Sequence, residues 1–389
     1  MPGSQWGKAL VVQTFGESHG AAVGCVVDGM PAGVPVSAAA VQTWLNRRRP
    51  GQSPLMTQRG ESDEVELLSG VYEGLSLGTP ICALVRNVDA RSKDYAAWQH
   101  LYRPGHADLT WQLRYGHRDP RGGGRASARE TVGRVAAGAL AAQLLDALAK
   151  ASQLAPIEIV AWVQRLGGIE ADCVAVEATA SGAAPADDHA IDPRTLTLEA
   201  VEASPVRCPD PQASARMVEA IEAARKARDS LGGVVRCVVR NVPAGLGDPV
   251  YDKLTGLLGH ALLSLPAVKG VQFGSGFAAT DLRGSAHNDA FVRRADGRAG
   301  TASNHHGGLL GGISTGEPLI LDVAWKPVAT IPQPQQAIGQ EGPPEPLLVT
   351  GRHDPCVLPR APVLVEAAVA HVLADAWLRV ARVGNGGGW

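Results

Sequence analysis

The chain of 389 residues alternates short strand-like runs with longer helical stretches, and this pattern constrains its fold more than any other feature. Several consecutive strand-like runs are separated only by short turns, as in KALVVQT and AVGCVVD, which flank the loop FGESHG near the N-terminus. Strands joined by short turns pair antiparallel, whereas parallel strands need long crossover connections. The sequence therefore predicts an α+β fold with antiparallel sheets, rather than a doubly wound parallel sheet.

Five stretches carry the signals of helices. The first begins after Ser37 as its N-cap, and the second covers about residues 127–150. The third, fourth and fifth cover residues 211–230, 247–265 and 361–381. In the fourth, Asp248 is the expected N-cap and Pro249 lies in the first turn. Further strands are predicted at residues 79–87, 156–166, 232–242, 267–274 and 317–327.

The organisation of the chain predicts one domain. No low-complexity linker divides the chain, and no repeat of about 20–50 residues is present. We therefore expect a single domain over residues 1–389, with a mobile tail over about residues 383–389. The stretch from Asp89 to Gly124 is irregular, polar and rich in Arg, His and Gly. A loop of that length inside a compact protein is usually functional, so a site is expected there.

Composition excludes several classes of partner. The formal net charge is −2, so no overall field directs the chain to nucleic acid or to a membrane surface. Aromatic residues make up only 4% of the chain, which disfavours a nucleic-acid stacking surface. The six cysteines form no CxxC pair, as in a reduced cytosolic protein. With no signal-peptide pattern and no charge-free apolar run of membrane-spanning length, we expect a soluble cytoplasmic protein.

Positive charge is concentrated in one part of the chain. Between Arg103 and Arg134 seven arginines stand against three acidic residues, which leaves a local excess of four positive charges. Clustered arginines repel one another unless anions neutralise them. The cluster therefore predicts a binding site for an anion.

The stretch RGGGRASARE, residues 121–130, lies inside this cluster. Its three glycines allow a ligand to approach the backbone closely, and amides at a helix start attract anions. Arg125 and Arg129 are four residues apart, so we expect them on one face of the following helix. Ser127 is either the N-cap of that helix or a phosphate ligand. The stretch has neither the Lys-Ser/Thr pair of a P-loop nor a dinucleotide-binding fingerprint.

Two loops place a histidine beside glycine. TFGESHG contains Ser18 and His19, and YRPGHAD contains Arg103 and His106 within one turn. A histidine in such a loop can donate a proton near neutral pH, and a nearby arginine can bind an anion. For each loop, a solvated turn with an incidental histidine is the alternative interpretation.

Two further segments combine glycine or proline with polar residues. NHHGGLLGGISTGEP has two glycine pairs that can place backbone against a flat ligand. Its adjacent histidines lack other metal ligands at suitable spacing, so no metal is expected. GRHDPCVLPRAP brings Arg352 close to Asp354, either as an ion pair or as a base held by its partner. Together, the loops predict a site for a small, highly anionic substrate and a phosphate-bearing cofactor.

Nine segments, taken in order, resemble the chorismate synthase family and cover about residues 4–380. They are TFGESHG, RRRPGQS, RSKDYAAW, YRPGHAD, RGGGRASARETVGRVAAGA, VPAGLGDPVYDKL, AVKGV, NHHGGLLGGIS and GRHDPCVLPRA. Any one of these segments is weak evidence, but the ordered set is highly specific.

The resemblance implies one α+β domain, a β-α-β sandwich with antiparallel sheets flanked by helices, that assembles as a homotetramer. It also implies a carbon–oxygen lyase of the shikimate pathway of aromatic amino acid biosynthesis. Such an enzyme converts 5-enolpyruvylshikimate-3-phosphate into chorismate and phosphate by an anti-1,4-elimination. The reaction needs reduced FMN without net redox change. NADPH is one source of the reducing electrons, and an external reductant is the source that we expect. The substrate's two carboxylates and phosphate would account for the arginines.

The resemblance also implies roles for individual residues. His19 would protonate or stabilise the leaving phosphate, His106 would supply a proton near the flavin, and Asp354 would serve a proton relay at flavin N5. The substrate anions would be held by Ser18, Arg48, Arg103, Arg129 and Arg352. The flavin would be bound by Arg125, Ala126, Ser127, Ala267, Gly311, Lys326, Pro327, Val328, Ala329, Thr330 and Arg352.

The chain departs from the family pattern at four positions. Pro54 stands where the family commonly has an arginine in the substrate and NADPH region, and Ala126 replaces a serine. Val328 and Ala329 replace hydroxyl-bearing residues in the segment KPVAT. Two alternatives therefore stay open. One is a diverged FMN-dependent paralogue that eliminates phosphate from a related cyclohexene substrate, and the other is a non-catalytic anion-binding protein on the same fold.

Overall fold

The structure, a computed structural model, describes residues 3–52, 55, 62–88, 98–173, 191–295, 297–349 and 354–383. Pro54, Arg352 and the tail beyond residue 383 lie outside the described residues, so the expectations for them stay predictions. The same holds for part of the arginine-rich loop, at residues 89–97.

The described strands are, in chain order, β1 (Gln5–Trp6), β2 (Val11–Phe15), β3 (Ala22–Asp28), β4 (Val65–Leu67), β5 (Val71–Tyr72), β6 (Leu75–Ser76), β7 (Ile81–Arg86), β8 (Leu101–Tyr102), β9 (Glu158–Leu166), β10 (Ile169–Glu170), β11 (Gly233–Arg240), β12 (Val268–Phe273), β13 (Phe291–Arg293), β14 (Ala299–Thr301), β15 (Leu309–Leu310), β16 (Ile313–Ser314), β17 (Leu319–Trp325), β18 (Gln335–Gly339) and β19 (Glu345–Leu347). The described α-helices are α1 (Ala38–Arg48), α2 (Asp108–Tyr115), α3 (Thr131–Ala151), α4 (Leu198–Glu202), α5 (Pro211–Lys226), α6 (Leu254–Leu263), α7 (Gly284–His287) and α8 (Ala361–Val383).

Two five-stranded sheets dominate the fold. The first has the strand order β1-β2-β3-β7-β4 and the second β10-β9-β11-β17-β12. Every pairing between named strands in the described chain is antiparallel. In the second sheet, Cys237 lies opposite Ala161 on one side and Leu321 on the other, which aligns a buried row across three strands. The predicted α+β class with antiparallel sheets is confirmed.

Helices α3 and α8 pack against each other between the two sheets. Helix α3 contacts β3 and β7 of the first sheet, and α8 contacts β9 and β11 of the second. Their contact is close because Gly138 has no side chain: a Cβ atom there would lie 2.4 Å from the Cα of Ala367. By length and composition alone, the stretches Ala128–Ala151 and Leu358–Ala381 could span a membrane. However, 67% and 89% of them are buried inside the protein, as expected of core helices.

The helix predictions needed three corrections. Two 3₁₀ turns, Gly124–Ala126 and Ala128–Glu130, precede α3, so the helix begins at Thr131 rather than near residue 127. Helix α6 begins at Leu254, and Asp248 instead pairs with Asp252 in a turn, so the predicted N-cap was wrong. Helix α2 lies within the stretch expected to be irregular. It is only eight residues long and no side chain caps its start, so its sequence signals were weak.

Candidate active site

A cavity of about 780 Å³ opens beside the first turns of α3 and α8. Thr131 and Ala361, the first residues of these helices, both line it. The lining also includes residues from the N-terminal segment, the end of α1, the loop between β8 and α2, helix α2, the glycine turn before α3, the segment between α6 and β12, and the residues after β17. Helix N-termini carry unpaired N–H groups and the positive end of the helix dipole, so this placement favours anions.

The side chains of the lining are strongly basic. Among the described lining residues, eight are lysine or arginine and only two are acidic. The acidic pair is Glu130 and Asp354, and the basic set is Arg48, Arg103, Arg125, Arg129, Arg134, Lys269, Lys326 and Arg360. Four of the seven arginines in the sequence cluster line this cavity, namely Arg103, Arg125, Arg129 and Arg134, whereas Arg114, Arg118 and Arg121 do not. The structure adds Lys269 and Arg360, which the sequence did not single out for the site.

The glycine run passes between the two loop histidines. A Cβ atom on Gly122 would lie 2.6 Å from Cδ2 of His19, and one on Gly123 would lie 2.9 Å from Cε1 of His106. Both glycines have positive φ, at +65° and +98°, in the region that glycine adopts without steric cost. The absence of side chains at these two positions therefore allows both imidazoles to lie against the same short turn.

Asp108 positions the loop that carries His106. Its carboxylate accepts hydrogen bonds from Nε and Nη2 of Arg103 at 2.7 and 3.0 Å. It also lies 3.0 Å from Nδ1 of His106. Burial would raise the pKa of Asp108, but hydrogen bonds from His106 and Arg103 outweigh burial and hold it well below its ordinary range. A His106 imidazole that donates its Nδ1 hydrogen to Asp108 would leave Nε2 as the nitrogen able to exchange a proton.

A second buried aspartate, Asp63, contacts two more of the arginines that were predicted to bind substrate. Asp63 accepts a hydrogen bond of 2.9 Å from Nη1 of Arg48, and its other oxygen accepts one from Nη1 of Arg129. Burial lowers the pKa of Arg48 to about 10, and repulsion from Arg129 and Arg360 acts in the same direction. We call Arg48, Arg103 and Arg129, together with Asp63 and Asp108, the arginine wall.

Arg125 and Arg129 do not share a helix face, so that expectation was wrong. Ser127 separates them between the two 3₁₀ turns, where its hydroxyl accepts a bond of 3.3 Å from the backbone N–H of Arg129. The guanidinium of Arg125 turns to β2, donating to the Thr14 hydroxyl at 2.7 Å and to the Gly16 carbonyl at 3.3 Å. Arg125 therefore fixes the turn to the first sheet while it lines the cavity.

Small side chains and backbone form another part of the lining. It contains Ala126, Ala267, Val328, Ala329 and Thr330, and we call it the small-residue wall. The chain after β17 is held by backbone contacts, since Lys326 N–H donates to the Ala267 carbonyl at 3.0 Å. The pKa of Lys326 is lowered by burial and by repulsion from Lys269.

The small-residue wall packs tightly against the loop that carries Arg103. A Cβ atom on Gly105, in the loop of Arg103, would lie 3.2 Å from the Cβ of Ala329.

Four of the described residues that the sequence predicted for the site are not part of the lining. Ser18 and His19 stand one layer behind it, against Gly122, which does line the cavity. Pro327 lies between two lining residues. Gly311 lies in the turn between β15 and β16, away from this cavity.

Asp354 lines the cavity and forms an ion pair with Arg360. The sequence had placed Arg352 as its partner, but that residue is outside the described part of the chain. Arg360 stands only six residues after Asp354 in the same segment, so proximity along the chain was a signal that could have indicated it.

The adjacent histidines of NHHGG have a structural partner. Nδ1 of His305 and Nδ1 of His306 lie 2.8 and 2.5 Å from the carboxylate of Asp289. Hydrogen bonds from His306 and from the backbone lower the pKa of Asp289 against the opposing effect of burial. Within the described ranges, no group of three or more His, Cys, Asp or Glu residues could hold a metal ion.

The fold and the cavity together define a class: an α+β protein whose basic cavity suits a small polyanion and includes the imidazole of His106 in its lining. Bidentate guanidinium groups suit carboxylates and phosphates. Among the described lining residues eight basic side chains stand against two acidic ones, and although Asp63 and Asp108 behind the lining offset part of this charge, the excess favours an anionic ligand.

Comparison with known proteins narrows the class to a family. The chorismate synthase family model matches residues 10–378. A chorismate synthase of Synechococcus sp. (strain JA-3-3Ab) is 52% identical over 377 residues, which cover 97% of this chain and 93% of that protein. One of Roseiflexus castenholzii is 50% identical over 379 residues, covering 97% and 98%. A crystal structure of chorismate synthase superposes with a TM-score of 0.72 at 30% identity, covering 97% and 94%. The chain belongs to the chorismate synthase family.

Proposed function

We propose that the protein is a chorismate synthase, a carbon–oxygen lyase that converts 5-enolpyruvylshikimate-3-phosphate into chorismate and phosphate. The observation that carries this proposal is the basic cavity of a chain that matches the family over nearly its whole length. In the elimination, a C–O bond to phosphate breaks, a hydrogen leaves the ring, and a new double bond forms. Phosphate and two carboxylates are the charges that the cavity must accommodate.

The arginine wall would hold these anions. Arg48, Arg103 and Arg129 line the cavity, and Asp63 and Asp108 support them from behind. Guanidinium groups already fixed by hydrogen bonds lose little further freedom when a carboxylate binds. Ser18 and, from outside the described residues, Arg352 complete the proposed substrate set.

Three groups would move protons. His19, against the glycine turn, would donate a proton to the leaving phosphate oxygen, and His106 would exchange a proton at Nε2 while Asp108 holds Nδ1. Asp354 would accept a proton in the relay from the substrate, and its ion pair with Arg360 would hold the carboxylate at the cavity. General acid–base groups of this kind contribute about 10²–10⁴-fold to rate.

The small-residue wall and its basic neighbours fit reduced FMN. A cavity of about 780 Å³ is within the range of cofactor sites, and small side chains leave backbone available to a flat ring. Arg125 and Lys326 can offset a phosphate, and Ser127 lies between two 3₁₀ turns in the same lining. Reduced FMN would supply electron density to the allylic system as phosphate leaves. Pro327 and Gly311 stay in the proposed flavin set by resemblance alone.

We further propose a single-domain homotetramer in the cytoplasm that obtains its reduced flavin from an external source, with NADPH as the alternative reductant. Neither nucleic acid nor a membrane is among the partners proposed.

The test is anaerobic incubation of the protein with enolpyruvylshikimate phosphate and photoreduced FMN, followed by chorismate absorbance and phosphate release. Equal release of both products is expected. A folded, flavin-saturated protein that releases neither product would refute the proposed function. Release of phosphate from another cyclohexene substrate alone would favour the diverged paralogue.

A further inference from the structure

Asp63 is the buried carboxylate that joins two arginines of the arginine wall. The residue is only 2% exposed and lies just before β4, in neither a helix nor a strand. Its φ is +48°, in the left-handed region that aspartate and asparagine enter more readily than most other residues. Each carboxylate oxygen accepts a hydrogen bond from a different arginine, one from Arg48 and one from Arg129.

The two guanidinium groups are oriented by further contacts. Nε of Arg48 donates to the Thr131 hydroxyl at 3.1 Å, and Nη2 donates to the Ala128 carbonyl at 2.9 Å. Nε of Arg129 donates to the Asn87 side-chain oxygen at 2.9 Å. A guanidinium has five N–H donors, so these bonds on Arg48 leave donors for a ligand. Both arginines line the cavity, whereas Asp63 does not.

The carboxylate also sets the charge of the group. Two arginines and one aspartate carry a net charge of +1, and removing the aspartate charge would leave +2 in a buried place. Asp63 counters the burial and repulsion that lower the pKa of Arg48. A buried charge that loses its partner is strongly unfavourable, so solvent anions would be drawn to replace the missing carboxylate.

We propose that Asp63 is a positioning residue for the reaction. It fixes the directions of the Arg48 and Arg129 guanidinium groups and limits their combined charge, so that the substrate anions bind in the orientation the elimination needs. This inference rests on the proposed function for its kinetic consequence, but its electrostatic consequence is independent of the substrate.

The kinetic test compares Asp63→Asn with wild type. Asparagine keeps the shape and tolerates the positive φ, but it carries no charge. We expect kcat to fall by about tenfold or more while KM stays within about threefold, because anions still bind but in altered directions. Asp322→Asn is the matched control: Asp322 is also buried, pairs with Arg236 at 2.7 Å and does not line the cavity. The control should keep the wild-type kcat.

The substrate-free test measures how inorganic phosphate raises the thermal unfolding temperature. The increase should be larger for Asp63→Asn than for wild type or Asp322→Asn, because phosphate would supply the missing negative charge. An equal increase in all three proteins, together with unchanged kcat for Asp63→Asn at a temperature where it is folded, would overturn the proposal.

A second variant covers the case in which Asp63→Asn does not fold. Asp63→Gly suits the positive φ and leaves space for formate, so formate should restore turnover and the unfolding temperature in this variant alone. No restoration would count against the proposal. If wild type itself shows no turnover, the proposed function fails, and the phosphate measurement still decides the role of Asp63.

Discussion

The arginine wall and the small-residue wall line the same cavity in different ways. On the arginine wall, long charged side chains reach the cavity and buried carboxylates hold them in place, as Asp108 holds Arg103. On the small-residue wall, side chains are short, and contacts such as the one between Lys326 N–H and the Ala267 carbonyl are made by backbone. Ligand contacts on the arginine wall therefore depend on which side chains are present, whereas those on the small-residue wall depend on the position of the backbone.

The departures that the sequence resemblance implies in the described chain fall on one of these two surfaces. Within the described residues, the departures named above are Ala126, Val328 and Ala329, and all three belong to the small-residue wall. Loss of a hydroxyl there removes one polar contact and leaves the backbone in place. Loss of a charged partner on the arginine wall leaves a buried charge unpaired, which costs about 3–5 kcal/mol. We therefore expect substitutions on the arginine wall to lower activity much more than substitutions on the small-residue wall.

The largest effect is expected for Arg129→Ala. It removes an anion contact and leaves Asp63 with one partner fewer, so kcat/KM should fall by about 10³-fold, which is about 4 kcal/mol. The measurement is steady-state kinetics with thermal unfolding. Arg86→Ala is the control, since Arg86 is exposed and pairs only at the surface with Glu66. Similar losses in both variants would show that the arginine wall has no special role.

His106→Ala should lower turnover by about 10²-fold or more, because general acid–base groups contribute on that scale. The unfolding temperature and the affinity for FMN should change little, since His106 is half-buried and sits in a loop. His19→Ala tests the second histidine in the same way. A variant with the wild-type rate would remove that histidine from the proton-transfer scheme.

Asp108→Asn should reduce stability in a manner that depends on pH. The folded-state pKa of Asp108 is depressed, so its stabilising contribution is complete above its ordinary pKa and is lost as pH falls through the lower folded-state pKa. The unfolding temperatures of wild type and variant should therefore differ most near pH 7 and converge below about pH 4. A difference that stays constant from pH 7 to pH 3 would contradict the hydrogen-bonded carboxylate.

The smallest effect is expected on the small-residue wall. Ala126→Ser and Ala329→Ser restore hydroxyls, and each should change kcat/KM by less than about threefold because one neutral hydrogen bond is worth about 1 kcal/mol. Ala329→Leu is the contrasting variant, since Ala329 already approaches Gly105 and a larger side chain would enter the cavity. It should weaken FMN binding measured by fluorescence, whereas large effects from the serine variants would contradict the comparison.

The sequence predicted the elements with strong periodicity and missed those that depend on distant partners. Strand β3 and helix α8 were found because their apolar patterns are long. Helix α2 was missed because eight residues without a cap give little signal. The arginine cluster could be predicted because its members are close together in the sequence. The role of Asp63 could not be predicted, because its partners lie 15 and 66 residues away and no local pattern indicates the pairing.

The close contact between α3 and α8 lies near the cavity that the starts of both helices line. Gly138 is seven residues beyond Thr131, and Ala367 is six residues beyond Ala361, so the contact lies about 10 Å from each helix start at 1.5 Å per residue. The first residues of both helices, Thr131 and Ala361, line the cavity. A methyl group at residue 138 would clash with Ala367, so we expect Gly138→Ala to separate the two helices and shift two edges of the cavity without any change in the residues that line it.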